Sequence, residues 1–260
     1  MNTLRGSLKL IAIFLVIIIA APFQIICRFF KLKPASIIPT IVHRIARYIL
    51  DIRIHTVGDA PGSTPTLIIS NHVSWLDIVV ISSLQPLSFI AKSEIANWPI
   101  FGFLAKMQNS IFIDRQRKRA TAETNSEIAD RLSNGDAIVL FAEGTTGDGV
   151  RLLPFRSSLI GAAHAAMLDD TKKQTAPRVQ IKPLAISYQK RNGLPLTRRD
   201  RPKIAWYGDM DLAPHLWAFL CEGSLDVTVF WGDAIPLGSD FDRKAITSDV
   251  ERTIQQVLGA

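Results

Sequence analysis

From Leu10 to Cys27 the chain reads LIAIFLVIIIAAPFQIIC, eighteen residues without a charge. As a helix this run rises about 27 Å at 1.5 Å per residue, just short of a hydrocarbon core of about 30 Å. Basic residues flank both ends, Arg5 and Lys9 before it and Arg28, Lys31 and Lys33 after it, so positive charge gives no orientation. Three readings stay open: a span, a helix that dips into one leaflet and bends at Pro22, or a secretory signal peptide cleaved near Ala20 and Ala21. After Pro39, TIVHRIARYILDI puts Ile41, Ile45, Tyr48 and Ile49 on one helical face and turns His43, Arg44 and Arg47 elsewhere. A basic amphipathic helix of this kind lies in a membrane interface or packs on the protein's own core.

Beyond Asp51 short β-rich runs alternate with helical patterns. TLIIS, LSFIAK, SIFID, AIVLFAEG, VQIKPLAISY, KIAWYG and LDVTVFWG predict strands. Helices are expected near Asp77 to Ser83, Glu94 to Met107, Ala120 to Ser133, Ser157 to Leu168, Ala213 to Cys221 and Asp242 to Leu258. The alternation predicts an α/β domain over residues 51–260, a largely parallel twisted sheet flanked by helices. Residues 1–50 form a membrane-associated helical segment ahead of it. The basic stretch Lys190 to Lys203, with Pro195 and Pro202, reads as a long loop.

Composition agrees with a membrane contact. Apolar residues make up 48% of the 260 and the mean hydropathy is +0.20, with the excess in the first fifty residues. The formal charge of +7 and isoelectric point of about 9.6 call for an anionic partner. No nucleic-acid module is recognisable, so the partner expected is membrane lipid and not nucleic acid. Cys27 and Cys221 lie far apart beside apolar residues, which argues against a disulfide framework or a metal site.

NHVSWLD, residues 71 to 77, leaves the buried-looking strand TLIIS at the place where α/β folds put their sites. A His–Asp pair suits attack of a hydroxyl on a thioester. The imidazole of His72 accepts the hydroxyl proton, and the carboxylate of Asp77 fixes its tautomer. Five residues are about 500° around a regular helix, so the two side chains meet only if His72 precedes the helix and Asp77 lies in its first turns. The bland alternative is an Asn71 cap beside a surface histidine.

NHVSWLD resembles the NHxSxxD signature of the glycerolipid acyltransferase family, typified by bacterial 1-acylglycerol-3-phosphate acyltransferases. SIFIDRQR (110–117), FAEGTTGDG (141–149) and IKPLAIS (181–187) resemble its second, third and fourth blocks in order. The resemblance implies His72 as catalytic base and Asp77 as its partner, with Asn71 and Ser74 in the same motif. It implies that Arg115 binds the acceptor's anionic head group through its planar fork of donors. Glu143, Gly144, Thr145, Thr146 and Asp148 belong to the third block and Pro183 to the fourth, all expected to bind substrate. Glu143 is alternatively a structural anchor for its turn, Asp148 a turn residue, and Pro183 a strand-edge residue. The apolar run Trp98 to Leu104 would line an acyl-chain channel or pack in the core.

In phosphate-accepting members the third block usually reads FPEGTR. Here Ala142 replaces the proline and Thr146 the arginine. FAEGTTGDG, with the later WYGDM (206–210), is similar to the branch that acylates lyso-ornithine lipid, whose head offers a carboxylate and an ammonium. The expected reaction is therefore O-acylation of a lysolipid, favoured acceptor lyso-ornithine lipid, with lysophosphatidate second and Arg151 or Arg156 the substitutes for the missing arginine. No cofactor or metal is implied; the donor is a thioester of acyl carrier protein, or else of coenzyme A. The expected location is the inner (cytoplasmic) membrane, with the site facing the cytoplasm. A non-enzymatic lipid-binding protein would share the membrane segment but have no use for the His–Asp pair.

Overall fold

The computed structural model describes residues 2–114, 118–157, 160, 179–236 and 242–259. Helices α1 (Asn2–Phe29) and α2 (Pro34–Leu50) precede the sheet and pack on each other. Among the described residues α1 is the helix long and apolar enough to cross a membrane, with a mean hydropathy of 2.9 and 6% of its most apolar window buried. It is nevertheless fastened to the folded body near both ends. Lys9 Nζ donates to the carbonyls of Leu50 and Glu222, each at 3.3 Å. Nearly thirty ångströms along the helix, or about 28 Å at 1.5 Å per residue, Arg28 Nη1 donates to the carbonyls of Lys106 and Met107. Helix α1 therefore lies along the domain instead of standing away from it.

Pro39 sits inside α2 and removes the N–H that would bond to the Ala35 carbonyl. Gln24 of α1 supplies the missing donor through Nε2 at 2.9 Å, and the same nitrogen donates to Met107 O at 2.7 Å. Ile41, Ile45 and Tyr48 remain exposed, so the apolar stripe of α2 is not covered by the protein's own core. Asp51 ends α2 in a left-handed conformation, φ 61°, and the chain turns at once into strand β1 (Ile52–Val57). The sequence pattern had suggested helix through Ile52; the amphipathic period simply runs on past the cap.

Eight further strands complete a sheet of nine among the described residues: β2 (Thr66–Ser70), β3 (Ser88–Lys92), β4 (Ile111–Ile113), β5 (Ala137–Phe141), β6 (Gln180–Arg191), β7 (Leu194–Pro195), β8 (Leu225–Trp231) and β9 (Ile235–Pro236). The order is β1-β8-β6-β2-β5-β3-β4, with β7 and β9 on β6. β2 to β6 are mutually parallel, whereas β8 is antiparallel to β6 and carries β1 parallel to itself. A largely parallel sheet is thus closed by a reversed edge. Leu67 and Ile69 of β2 face Ile128 and Leu132 of α5 (Lys118–Ser133) and Val250 and Ile254 of the C-terminal helix (Arg243–Leu258). Ile68 faces the other layer, with Leu76 and Val80 of α3 (Leu76–Ser82) and Phe219 and Leu220 of α6 (Leu212–Leu220). Both faces being covered explains why TLIIS is apolar without alternation.

Two expected elements differ. Glu94 to Met107 is not one helix but a 3₁₀ turn (Ser93–Asn97) and a helix α4 (Phe101–Met107). Pro99 holds Trp98 extended, and Ile100 takes φ 64° in a three-residue turn closed by Phe101 N–H to Pro99 O at 2.6 Å. KIAWYG is not a strand. A 3₁₀ turn (Arg201–Lys203) leads into consecutive buried residues Ile204 and Ala205, and Trp206 N donates to Val73 O at 3.0 Å. Pro202 starts that turn, and the segment's hydrogen bonds go to the loop after β2 instead of to a sheet. Part of the expected loop Lys190 to Lys203 is a hairpin, with Asn192 and Gly193 at positive φ between β6 and β7. The helix expected over Ser157 to Leu168 lies almost wholly outside the described residues, and Arg115 lies outside them.

Candidate active site

The C-terminal ends of β2, β5 and β6 converge on one loop. Asn71 splices the end of β2 to β6, with Nδ2 donating to Ile186 O at 3.0 Å and Oδ1 accepting from Ile186 N at 2.8 Å. The next ring, His72, stacks on Phe141 at the end of β5, centroids 3.8 Å apart and planes 8° from parallel. Asp77, in the first turn of α3, reaches back along the chain. Its Oδ2 accepts from His72 Nδ1 at 2.7 Å, from Val73 N at 2.7 Å and from Ser74 N at 3.0 Å. This resembles the backward half of a capping box, and it places the pair in the only arrangement that the five-residue offset allows.

Asp77 is fully buried, whereas the His72 side chain keeps 17% of its surface. A carboxylate surrounded by donors can only accept, so the imidazole proton sits on Nδ1 and the Nε2 lone pair is left for an incoming hydroxyl. Asp77 Oδ1 accepts from the buried Tyr188 hydroxyl at 2.6 Å. Burial first, then the charge of Asp77 and the hydrogen bond to it, push the tyrosine well above its usual range, so it remains a donor.

The third block clamps the main chain of His72. Glu143 Oε1 accepts from His72 N at 2.7 Å and Oε2 from Leu153 N at 3.0 Å, while Gly147 N donates to His72 O at 2.8 Å. Burial pushes the Glu143 carboxyl up to about 7 against the opposing effect of those two N–H donors. Asp148 Oδ1 accepts from Val150 N at 2.8 Å and Arg151 N at 3.1 Å. Burial would raise Asp148, but these bonds, followed by the charges of Arg151 and Arg201, hold it below the usual carboxylate value. Gly149 has φ 69°, and a Cβ there would approach Val73 Cγ1 to 3.0 Å. The loop must run this close to the His72 segment.

Residues 51–187 match the family model described as Acyltransferase. Over 259 residues the chain is 42% identical to the lyso-ornithine lipid O-acyltransferase of Brucella abortus (strain 2308), covering 99% of this chain and 95% of that one. The chain belongs to the acyltransferase family. It is also 42% identical to the lyso-ornithine lipid O-acyltransferase of Rhizobium meliloti (strain 1021), over 98% of this chain and 85% of that one. Identity to the 1-acyl-sn-glycerol-3-phosphate acyltransferase of Neisseria gonorrhoeae is 31%, over 80% and 76%. The fold is shared with the crystal structure of the 1-acyl-sn-glycerophosphate (LPA) acyltransferase PlsC from Thermotoga maritima, TM-score 0.65 at 17% identity, covering 100% of this chain and 97% of that one.

In this acyltransferase a pocket is lined by His72, Asn71, Glu143 and Asp148, but among the described residues Ser74, Gly144, Thr145, Thr146 and Pro183 form no part of its wall. Ser74 is fully buried and meets Asp77 through its backbone. Thr145 is exposed and Thr146 half-buried in the turn before Gly147. Pro183 is on an interior strand, not an edge. Its missing N–H falls where β6 passes from β9 to β8, opposite Gly232, whose N donates to Pro183 O at 2.9 Å. Two pocket residues had no signal of their own in the sequence: Tyr188, an ordinary strand aromatic, and Arg201, one of several charges in a basic stretch. Among the described residues no cluster of His, Cys, Asp and Glu could hold a metal.

Proposed function

We propose that this acyltransferase moves a fatty acyl group from a thioester to the hydroxyl of a lysolipid, with lyso-ornithine lipid as acceptor and ornithine lipid as product. The observation that carries the reading is the buried Asp77 holding His72 Nδ1, which leaves Nε2 free to accept a proton. Nε2 takes the acceptor's hydroxyl proton as its oxygen attacks the thioester carbonyl. The tetrahedral intermediate collapses, the C–S bond breaks, and the imidazolium returns the proton to the departing thiolate. No acyl-enzyme is required. The relatives at 42% identity, both named for lyso-ornithine lipid, favour that acceptor. The relative at 31% named for 1-acyl-sn-glycerol-3-phosphate makes lysophosphatidate the second reading.

Acyl carrier protein is the proposed donor, ahead of coenzyme A; the net charge of +7 supports either anionic carrier. The exposed apolar surfaces of α1 and α2 support attachment to a membrane, proposed to be the inner membrane with the site on the cytoplasmic side. The test is competition between lyso-ornithine lipid and lysophosphatidate for an acyl-carrier-protein thioester in mixed micelles. Ornithine lipid should dominate, and His72→Ala should lower its rate about 10²–10⁴-fold. Free fatty acid as the main product would point to a hydrolase, and unchanged turnover in His72→Ala would remove the mechanism.

A further inference from the structure

Arginine is absent from position 146, but the fold delivers another to the pocket from outside the four sequence blocks. Arg201 opens the 3₁₀ turn that follows β7. Its backbone is fixed by Arg201 N–H to Thr197 O at 3.3 Å, and its own carbonyl accepts from Ile204 N at 2.9 Å and Ala205 N at 2.8 Å. Its Nη1 donates to Gly149 O in the third-block loop. The guanidinium thus reaches across to the loop that carries Asp148, on a wall shared with His72, Glu143, Arg151 and Ser187. Among the described residues no carboxylate lies within ion-pair distance of Arg201, and its Nε and Nη2 make no hydrogen bond. A planar cation held in this way, partly buried beside the catalytic base, has donors left for a ligand.

We infer that Arg201 binds the head-group carboxylate of the acceptor and, with Asp148 receiving the ammonium, makes the pocket selective for an amino-acid head. The inference rests on the proposed acceptor. Asp148 is held in its charged form by its N–H donors and by the two arginines. A head with close to two negative charges would meet that carboxylate at short range. A carboxylate joined to an ammonium finds a partner of opposite sign for each group. One edge of Arg201 is spent on Gly149 O, which fits a single carboxylate better than a dianion.

The test compares lyso-ornithine lipid with its carboxylate methyl ester, on the full-length enzyme in mixed micelles. Wild type should prefer the acid by about ten- to a hundredfold in kcat/KM, the size expected for one charge-assisted hydrogen bond. Arg201→Gln should bring that ratio close to one by raising KM for the acid, with kcat at saturation little changed. Arg201→Lys keeps the charge and a donor for Gly149 O, so it should retain a reduced preference even where the Gln variant folds poorly. An unchanged ratio in both variants overturns the inference alone, and so does collapse of the ratio in Arg151→Gln instead. A wild-type enzyme inactive on lyso-ornithine lipid but active on lysophosphatidate overturns the proposed acceptor, and this inference with it.

Discussion

Tyr188 donates its hydroxyl to Asp77 Oδ1 at 2.6 Å while His72 Nδ1 holds Oδ2 at 2.7 Å, so the carboxylate is gripped at both oxygens by residues 111 positions apart or five. Rotation of Asp77 about its χ2 would break the His72 contact, and the tyrosine opposes that rotation. Tyr188→Phe should therefore lower kcat by about tenfold and leave KM for both substrates nearly unchanged, since one hydrogen bond to a charged group is lost away from the ligand. Steady-state kinetics with a circular-dichroism check of folding would decide it. A kcat within twofold of wild type would reduce Tyr188 to a packing residue.

Glu143 gives a pH-dependent prediction. Its folded value is raised from 4.5 to about 7, so the folded state binds this proton more tightly than the unfolded chain does. The stability it contributes relative to a non-titrating side chain is full below pH 4.5 and is lost as pH rises through 7, by about 3 kcal/mol at 1.36 kcal/mol per unit. Glu143→Gln also turns an NH₂ toward one of the two N–H donors. The variant should melt below wild type at pH 4.5, and the gap should narrow by pH 8. Melting curves across that range check the sign, and a gap that widens with pH refutes it.

The geometry of His72 and Asp77 was legible because a strand exit, a short loop and a helix start are all local, and the five-residue offset admits one solution. Glu143 was legible only as a choice between substrate and anchor. The choice is decided by Leu153, ten residues on, whose N–H takes the second carboxylate oxygen. Tyr188 and Arg201 were hidden because what they touch depends on sheet register and on a turn that packs across it. The strand Ile52–Val57 was hidden by a helical pattern that continues beyond Asp51, where a left-handed cap ends the helix. KIAWYG has strand composition, yet Pro202 and the pull of Val73 O fold it otherwise.

Membrane attachment can be separated from folding. Deleting residues 1–50 removes the Lys9 and Gln24 hydrogen bonds and strips buried Leu50 from the core, so it should destabilise the domain as well as release it. Ile41→Glu with Ile45→Glu alters only exposed positions of α2. This double variant should keep its melting temperature but bind anionic vesicles at least about tenfold more weakly, as two buried apolar side chains are lost from the lipid at about 1.5–3 kcal/mol each. Vesicle sedimentation is the measurement. Undiminished binding would mean that α1 alone anchors the protein.

Acceptor choice should respond to charge in the third block without loss of its turn. Asp148 Oδ1 accepts two backbone N–H groups, so Asp148→Ala would disturb the loop and confuse binding with folding. Asp148→Asn keeps an oxygen for those donors and removes the charge. It should raise KM for lyso-ornithine lipid by about ten- to a hundredfold, the range of one charged hydrogen bond, while leaving lysophosphatidate unharmed or improved. Thr146→Arg adds a cation two residues away and should move preference further toward lysophosphatidate. Initial rates with the two acceptors in competition give the ratio directly. If both variants leave it unchanged, the head group does not touch this loop, and selectivity must lie on another wall of the pocket.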